Sequence, residues 1–302
     1  MHIGITVGLG ARSEGTIDGI VARIKDAEAR GFATVWMTNA FSFDAITALA
    51  AAARETSRVE LGTAVVPTYP RHPVVMAQQA LTAQSASGGR FTLGIGLSHE
   101  TMVTNALGLP FDRPAQHMRE YLQVLMPLLN KEPTSVNGDF YRVQARVGVG
   151  DVAPVPVVVA ALGPRMLKLA GSMTAGTITS WVGPRTLETH IAPKITEAAE
   201  AAGRPAPRII IGLPISLTND PDSARQNFGP QVAGYGLLPS YRAMFDHEGV
   251  DDPAEIAMFG DEVALDKVLT ELDSAGATDF AAQVVSTEPG SATRTLEFLA
   301  SR

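Results

Sequence analysis

The sequence predicts an α/β fold, a (β/α)8 TIM barrel with insertions after its fourth helix and its seventh strand, and three observations lead there. Eight apolar runs of strand length occur, at residues 2–7, 33–38, 59–66, 91–96, 155–161, 176–181, 208–216 and 278–285; eight strand and helix units is the number that closes a barrel. The same order of helix, glycine and apolar strand recurs at EARGFATVW, ASGGRFTLGIG, EAAGRPAPRIIIGL and DSAGATDFAAQVV, and strands alternating with helical patterns at this spacing mean a parallel sheet. With 45% hydrophobic and only 18% charged residues, most elements must be buried on several sides, as parallel strands are. An open doubly wound sheet is the alternative. Its dinucleotide fingerprint is missing, because Gly8-Leu9-Gly10-Ala11-Arg12-Ser13 has serine where the third glycine belongs.

Taken in order, His2 to Val7 is the first strand and Leu9 to Gly15 a glycine-rich loop. Ile17, Ile20, Val21, Ile24 and Ala27 then fall at helical spacing, and Gly31 closes that helix. The second strand leads through Asn39 to Phe43 into an alanine-rich helix from Asp44 to about Glu55. After the third strand, Pro67 to Pro73 punctuates the chain, and Pro73 suits the first turn of a helix running to about Ser87. Residues 134–150 contain Asn137-Gly138 between alternating residues and read as a hairpin. Residues 218–258 hold glycines, prolines, Tyr235 and Tyr241, are too long for a plain helix, and sit where lids or partner surfaces are built. One barrel domain over residues 1–302 is expected, since such barrels run to about 250 residues or more.

The net charge of −7 and pI near 5.4 disfavour an electrostatic grip on nucleic acid or an anionic membrane, while leaving room for a small phosphorylated ligand. The chain contains no cysteine, which excludes disulfides, thiolate nucleophiles and thiolate metal sites. No run of 18 apolar residues appears, and the amino terminus already reads as a strand. A soluble, unprocessed, cytoplasmic protein acting on a small molecule is the expectation.

Chemistry is expected at the carboxyl ends of the strands. At RFTLGIGLSHE, Gly94 and Gly96 let another group lie against the strand, and Ser98, His99 and Glu100 follow directly. An imidazole there can give or take a proton near neutral pH. The string differs from the nucleophile elbow G-x-S-x-G in lacking the second glycine. At AALGPRMLKLAG, a strand stops at Gly163-Pro164 and a helix starts with Arg165 beside it, so exposed amides, the helix dipole and a guanidinium form a phosphate or carboxylate cradle. Small residues end the third strand at Gly62-Thr63-Ala64-Val65, where a flat ring can lie against main chain. Thr38, Asn39, Ser180, Trp181 and Ser216 stand at other strand exits. None of the six histidines forms an H-x-H or H-E-x-x-H pair, so no metal is expected.

With these residues in hand, the chain resembles the bacterial luciferase-like family of barrel flavoproteins, and within it the deazaflavin branch of F420-dependent oxidoreductases. The resemblance runs from HIGITVG through GTAVVPTYPRHPVVMAQ and RFTLGIGLSHE to GPRMLKLAG and GATDF. It implies coenzyme F420, or FMN if the chain is instead a monooxygenase of the same fold. It places the cofactor ring over the third strand's exit, with a cis peptide at Thr63–Ala64. It implies cofactor contacts from Asn39, Thr63, Ala64, Val65, Leu97 and Ser98, and holds the cofactor phosphate at Leu162, Gly163, Pro164 and Arg165. His99 becomes the proton donor or acceptor for a hydride transfer, while Thr38, Ser180 and Trp181 face the substrate. It also implies a homodimer through helices two and three. Several relatives carry Asp-His where this chain has Asn39-Ala40, so sugar phosphates and secondary alcohols do not carry over as substrates. A pterin, a carbonyl or an activated alkene stays open.

Overall fold

A computed structural model describes residues 1–8 and 15–302. The glycine-rich loop expected after the first strand therefore falls almost wholly outside the described residues. The chain runs β1 (His2–Val7), α1 (Ile17–Arg30), β2 (Thr34–Met37), α2 (Ala45–Ala53), β3 (Glu60–Thr63), β4 (Val66–Pro67), α3 (Pro73–Ala86), β5 (Phe91–Gly96) and α4 (Pro114–Leu129). A hairpin of β6 (Thr134–Asn137) and β7 (Arg142–Ala145) follows, then β8 (Val157–Val159), α5 (Pro164–Met173), β9 (Gly176–Ser180), α6 (Pro184–Thr186), α7 (Ala192–Ala201), β10 (Arg208–Gly212) and β11 (Pro214–Leu217). The chain ends with α8 (Pro221–Val232), α9 (Pro239–Glu248), β12 (Met258–Gly260), α10 (Glu262–Ser274), β13 (Asp279–Val284) and α11 (Ser291–Ala300).

Parallel pairing runs β1-β2-β3-β5-β8-β9-β10-β13 and returns to β1, which closes an eight-stranded barrel. The helix signals act as expected. Thr16 caps α1 by accepting from the Gly19 amide, Gly31 takes the left-handed conformation at its end, Asp44 caps α2, and Pro73 opens α3. Ala48, Ala52 and Ala53 of α2 are buried in the chain's own core, so much of this helix, one of the two expected at a dimer contact, packs inward.

Three expected strands are shorter or broken, each for a local reason. Residues 59–66 divide at Ala64-Val65, where β3 stops and β4 resumes against β5. Residues 208–216 divide at Leu213: β10 pairs with β9, whereas β11, opening with Pro214, pairs with β12 and the end of β13. Pro154 and Pro156, which donate no amide, leave residues 155–161 only three residues of regular strand. The hairpin forms between residues 134 and 145, but four residues separate its strands and the Gly138 amide donates to the Tyr141 carbonyl.

The barrel interior is layered. Trp36, fully buried, fills the middle with Val158, Ile178, Ile210 and Ala281. It fits because Gly62 faces it; a Cβ on Gly62 would meet the indole at 2.2 Å. Gly62→Ala is therefore expected to destabilise the fold by about 1–3 kcal/mol, the range for overpacking a filled core, measured by denaturant unfolding. An unchanged midpoint would mean that the indole has room to move. Beneath it, at the amino ends of the strands, Arg208 pairs with Glu60 and Asp279. The carboxyl end is left lined by small residues.

Candidate functional site

A cavity of about 270 Å³ opens at the carboxyl ends of the strands, near the lower end of the roughly 300–1,000 Å³ of small-molecule sites. Its floor is small by construction. Gly96 lies against Val65 and Ala160, and a Cβ there would come within 2.7 Å of the Val65 side chain; one on Gly212 would come within 3.0 Å of the Ser180 hydroxyl. Both glycines make room for these neighbouring side chains, and both line the cavity. Polar groups rim it. The Ser180 hydroxyl accepts from Gln283 Nε2 at 3.2 Å, Thr38 donates to the Gly8 carbonyl, and the Thr179 hydroxyl is buried with no partner among the described residues.

His99 stands at one side. β5 ends at Gly96, Ser98 takes a left-handed φ of 64°, and the His99 carbonyl accepts the amides of Met102 and Val103, which starts a π-helical turn. The backbone is held while the ring is left over the cavity. Burial lowers the His99 pKa, so the imidazole is neutral at neutral pH and one nitrogen can accept a proton. Its ring touches Tyr241 of α9 (centroids 5.6 Å apart, tilted 54°) and makes no side-chain hydrogen bond with a described residue. Burial, helped by Tyr235, raises the Tyr241 phenol well above its ordinary value, so that hydroxyl keeps its proton. A neutral acceptor and a protonated donor face the same space.

At the exit of the neighbouring strand β8, α5 follows Gly163 with no side-chain cap; Pro164 has no N–H, and the Met166 and Leu167 amides donate to the Gly163 carbonyl, which leaves the Arg165 amide available to an anion. The Leu162 carbonyl just before it is fixed by His190 Nε2 at 2.8 Å. Lys194 Nζ donates to Nδ1 of the same ring at 3.0 Å, which assigns the proton to Nε2. His117, by contrast, is enclosed between Tyr69, Thr68 and Phe140 and pushed by burial to about 4; it belongs to the packing under the hairpin. Among the described residues no group of three histidines, aspartates or glutamates is placed to hold a metal.

Nine of the fourteen residues expected to touch cofactor or substrate line this cavity together: Thr38, Ala64, Val65, Leu97, Ser98, His99, Leu162, Gly163 and Ser180. Five do not. Asn39 Oδ1 accepts the Ala45 amide at 2.9 Å and ties the loop to the start of α2. The buried Thr63 hydroxyl accepts the Gly94 amide and donates to the Gly94 carbonyl, bridging β3 to β5. Pro164 is exposed, and Arg165 turns away into an outer groove between α4 and α5. Trp181, with a left-handed φ of 61°, is buried under Tyr235 and Phe228. Ser216, also noted at a strand exit, bonds Thr287 instead. The cis bond lies one residue beyond its expected place, at Ala64–Val65, because the Ala64 amide still donates to the Met37 carbonyl and keeps the ladder through that residue. Ser240, Tyr241 and Gln283 were not expected. Gln283 had a signal, a lone polar residue two positions after Ala281 on an inward strand face; Tyr241 had only its place in the long insertion.

The model of the family described as luciferase-like monooxygenase matches residues 1–286. The chain is 31% identical over 274 residues to the F420-dependent glucose-6-phosphate dehydrogenase of Kineococcus radiotolerans, covering 85% of this chain and 80% of that one. It is 27% identical to the 5,10-methylenetetrahydromethanopterin reductase of Methanolobus tindarius over 242 residues, 80% and 73% of the two chains. Among solved structures, the coenzyme F420-dependent tetrahydromethanopterin reductase of Methanopyrus kandleri superposes with a TM-score of 0.79 at 23% identity, over 99% of this chain and 98% of that one, a likeness of fold.

Proposed function

Because this chain belongs to the luciferase-like monooxygenase family, we propose that it is an oxidoreductase that uses a deazaflavin, coenzyme F420, to move a hydride to or from a small organic substrate held at the barrel mouth. The observation that carries this reading is the pairing, in one cavity, of a flat floor of small residues with the neutral imidazole of His99. A bound deazaflavin supplies a ring carbon that gives or accepts a hydride. The chain supplies the rest. Ala64, Gly96, Ala160 and Gly212 line the cavity as small residues that leave room for a planar ring, and the uncapped start of α5 with Leu162 and Gly163 receives a phosphate. The unpartnered Thr179 hydroxyl offers a hydrogen bond to a ring edge. His99 takes or returns the proton that accompanies the hydride, and Tyr241 donates a hydrogen bond to a polar atom of the substrate. Ser240 and Tyr241 bring the insertion over the mouth and narrow access of water.

The test is a pair of titrations with F420 and with FMN, followed by anaerobic incubation with the reduced deazaflavin and a panel of pterins, carbonyl compounds and activated alkenes, read as cofactor reoxidation. Micromolar or tighter affinity for F420, weaker affinity for FMN and reoxidation by one compound class are expected. Tight FMN binding with no F420 binding would assign the chain to the monooxygenase chemistry of the family instead.

A further inference from the structure

His190 is buried, lines no part of the cavity, and has both ring nitrogens engaged. A π-helical turn, Leu187–Ile191, leads into α7 and sets His190 four residues before Lys194, whose Nζ donates to its Nδ1 at 3.0 Å. The His247 ring of α9 stacks on it, with centroids 4.4 Å apart and planes 28° from parallel. Held in this way, the ring keeps its proton on Nε2 and donates to the Leu162 carbonyl at 2.8 Å, 28 positions earlier in the chain. Burial lowers the pKa of the ring, and Lys194 and His247 act in the same direction against the carbonyl, so the ring is neutral at neutral pH. For packing alone a phenylalanine would serve. What the imidazole adds is a hydrogen bond to one peptide, and that peptide belongs to the cavity wall.

Leu162 and Gly163 both line the cavity. The peptide that joins them is trans, the cis bond of the described residues being Ala64–Val65, and in a planar trans peptide the carbonyl and the N–H point in opposite directions. A carbonyl turned outward to His190 therefore turns the Gly163 N–H toward the cavity. No described residue accepts that amide, and a Cβ added at Gly163 would meet nothing within 4 Å. Glycine populates both signs of φ, so this peptide plane can flip at little cost; the bond to His190 selects one of its two orientations. We propose that His190 is a positioning residue, which holds the Leu162 carbonyl outward so that the Gly163 N–H, with the Arg165 N–H two residues on, is presented to the phosphate of the ligand. The inference rests on the reading of this turn as the phosphate end of the cofactor site.

The experiment measures dissociation constants on the full chain for two matched pairs of probes: the ribityl deazaflavin of F420 without and with a 5′-phosphate, and riboflavin against FMN. The proteins are the wild type, His190→Phe, which keeps the ring and its stacking, and His190→Gln, whose amide can still donate to the Leu162 carbonyl; thermal melting confirms that each is folded. The wild type should prefer the phosphorylated member of a pair by about tenfold or more, as charge-assisted hydrogen bonds do. His190→Phe should lose most of that preference while binding the unphosphorylated ring within about twofold of the wild type, and His190→Gln should recover most of it. Lys194→Met, which frees Nδ1 to take the proton, should reduce the preference part-way, and it carries the test if the phenylalanine variant does not fold. A preference that survives in His190→Phe, or in Lys194→Met where that variant stands in, would overturn the inference. So would equal weakening of both members of a pair, the mark of a merely structural role, or a folded His190→Gln that recovers nothing. A wild type that binds the rings without preferring phosphate would remove the phosphate end and leave the ring site standing, whereas one that binds neither pair would remove the functional reading and the positioning role with it.

Discussion

His99→Ala is expected to lower turnover by about 10²- to 10⁴-fold, the range for loss of a positioned acid or base, while the dissociation constant of the cofactor changes by no more than a few-fold. The asymmetry follows from geometry. His99 is one edge of the cavity, whereas in the proposed binding mode the ring would rest on other lining residues, Gly96, Ala160 and Gly163 among them. The pH profile separates a proton carrier from a packing residue. Burial lowers the His99 pKa, so the ring loses its proton below the ordinary histidine value of about 6.5. A step needing the neutral ring is therefore fully active at pH 7, and its rate falls only as pH drops through that lowered value. In the wild type the acid limb of kcat/KM should lie below about 6.5; in His99→Ala it should vanish with the rate. A limb that persists in the variant, or a variant with near-normal turnover, would remove His99 from the reaction.

How much of this site could be read in advance depends on how local each determinant is. The run Phe91–Gly96 and the polar groups after it were legible because strand, glycine pair and exit are consecutive residues. The start of α5 was equally legible, since Gly163-Pro164 fixes the first turn. What Arg165 faces was not. Successive helical side chains diverge by about 100°, so Met166 faces the cavity while Arg165 faces the groove behind it, and no pattern in ten residues determines that angle. Trp181 was misplaced for a related reason: its left-handed backbone turns the indole beneath Tyr235 and Phe228, residues of an insertion whose docking the sequence leaves open. Tyr241 reaches His99 only through that same docking. The break in the seventh strand is written in the chain at Pro214, whereas the break in the third falls at Ala64-Val65, two small apolar residues inside a continuous hydrophobic run that carries no such mark.

The charged base of the barrel carries the largest expected effect on stability. Arg208 reaches Asp279 through Nε at 2.9 Å and Glu60 through Nη1 at 2.6 Å, with the Trp36 ring 5.4 Å away. Burial alone would lower the Arg208 pKa, but the hydrogen bonds and charges of Asp279 and Glu60 override it and raise it. Asp279 is 1% exposed and also accepts from the Thr278 hydroxyl at 2.6 Å. Arg208→Met removes the cation and leaves a carboxylate buried without its counter-charge, a change that costs about 3–5 kcal/mol and lowers the melting temperature by roughly 10 °C in a chain of this size. Replacing the whole group, with Glu60→Leu, Arg208→Met and Asp279→Leu together, removes the stranded charges as well, so it should recover most of that loss. Ligand affinity at the mouth should be unchanged in both variants below their melting temperatures, because this end of the barrel serves the fold. Chemical denaturation of the three proteins decides the matter: a loss under about 1 kcal/mol in Arg208→Met would rank the cluster with ordinary surface ion pairs, and a triple variant less stable than the single one would mean that the charges hold the strands in register beyond their mutual pairing.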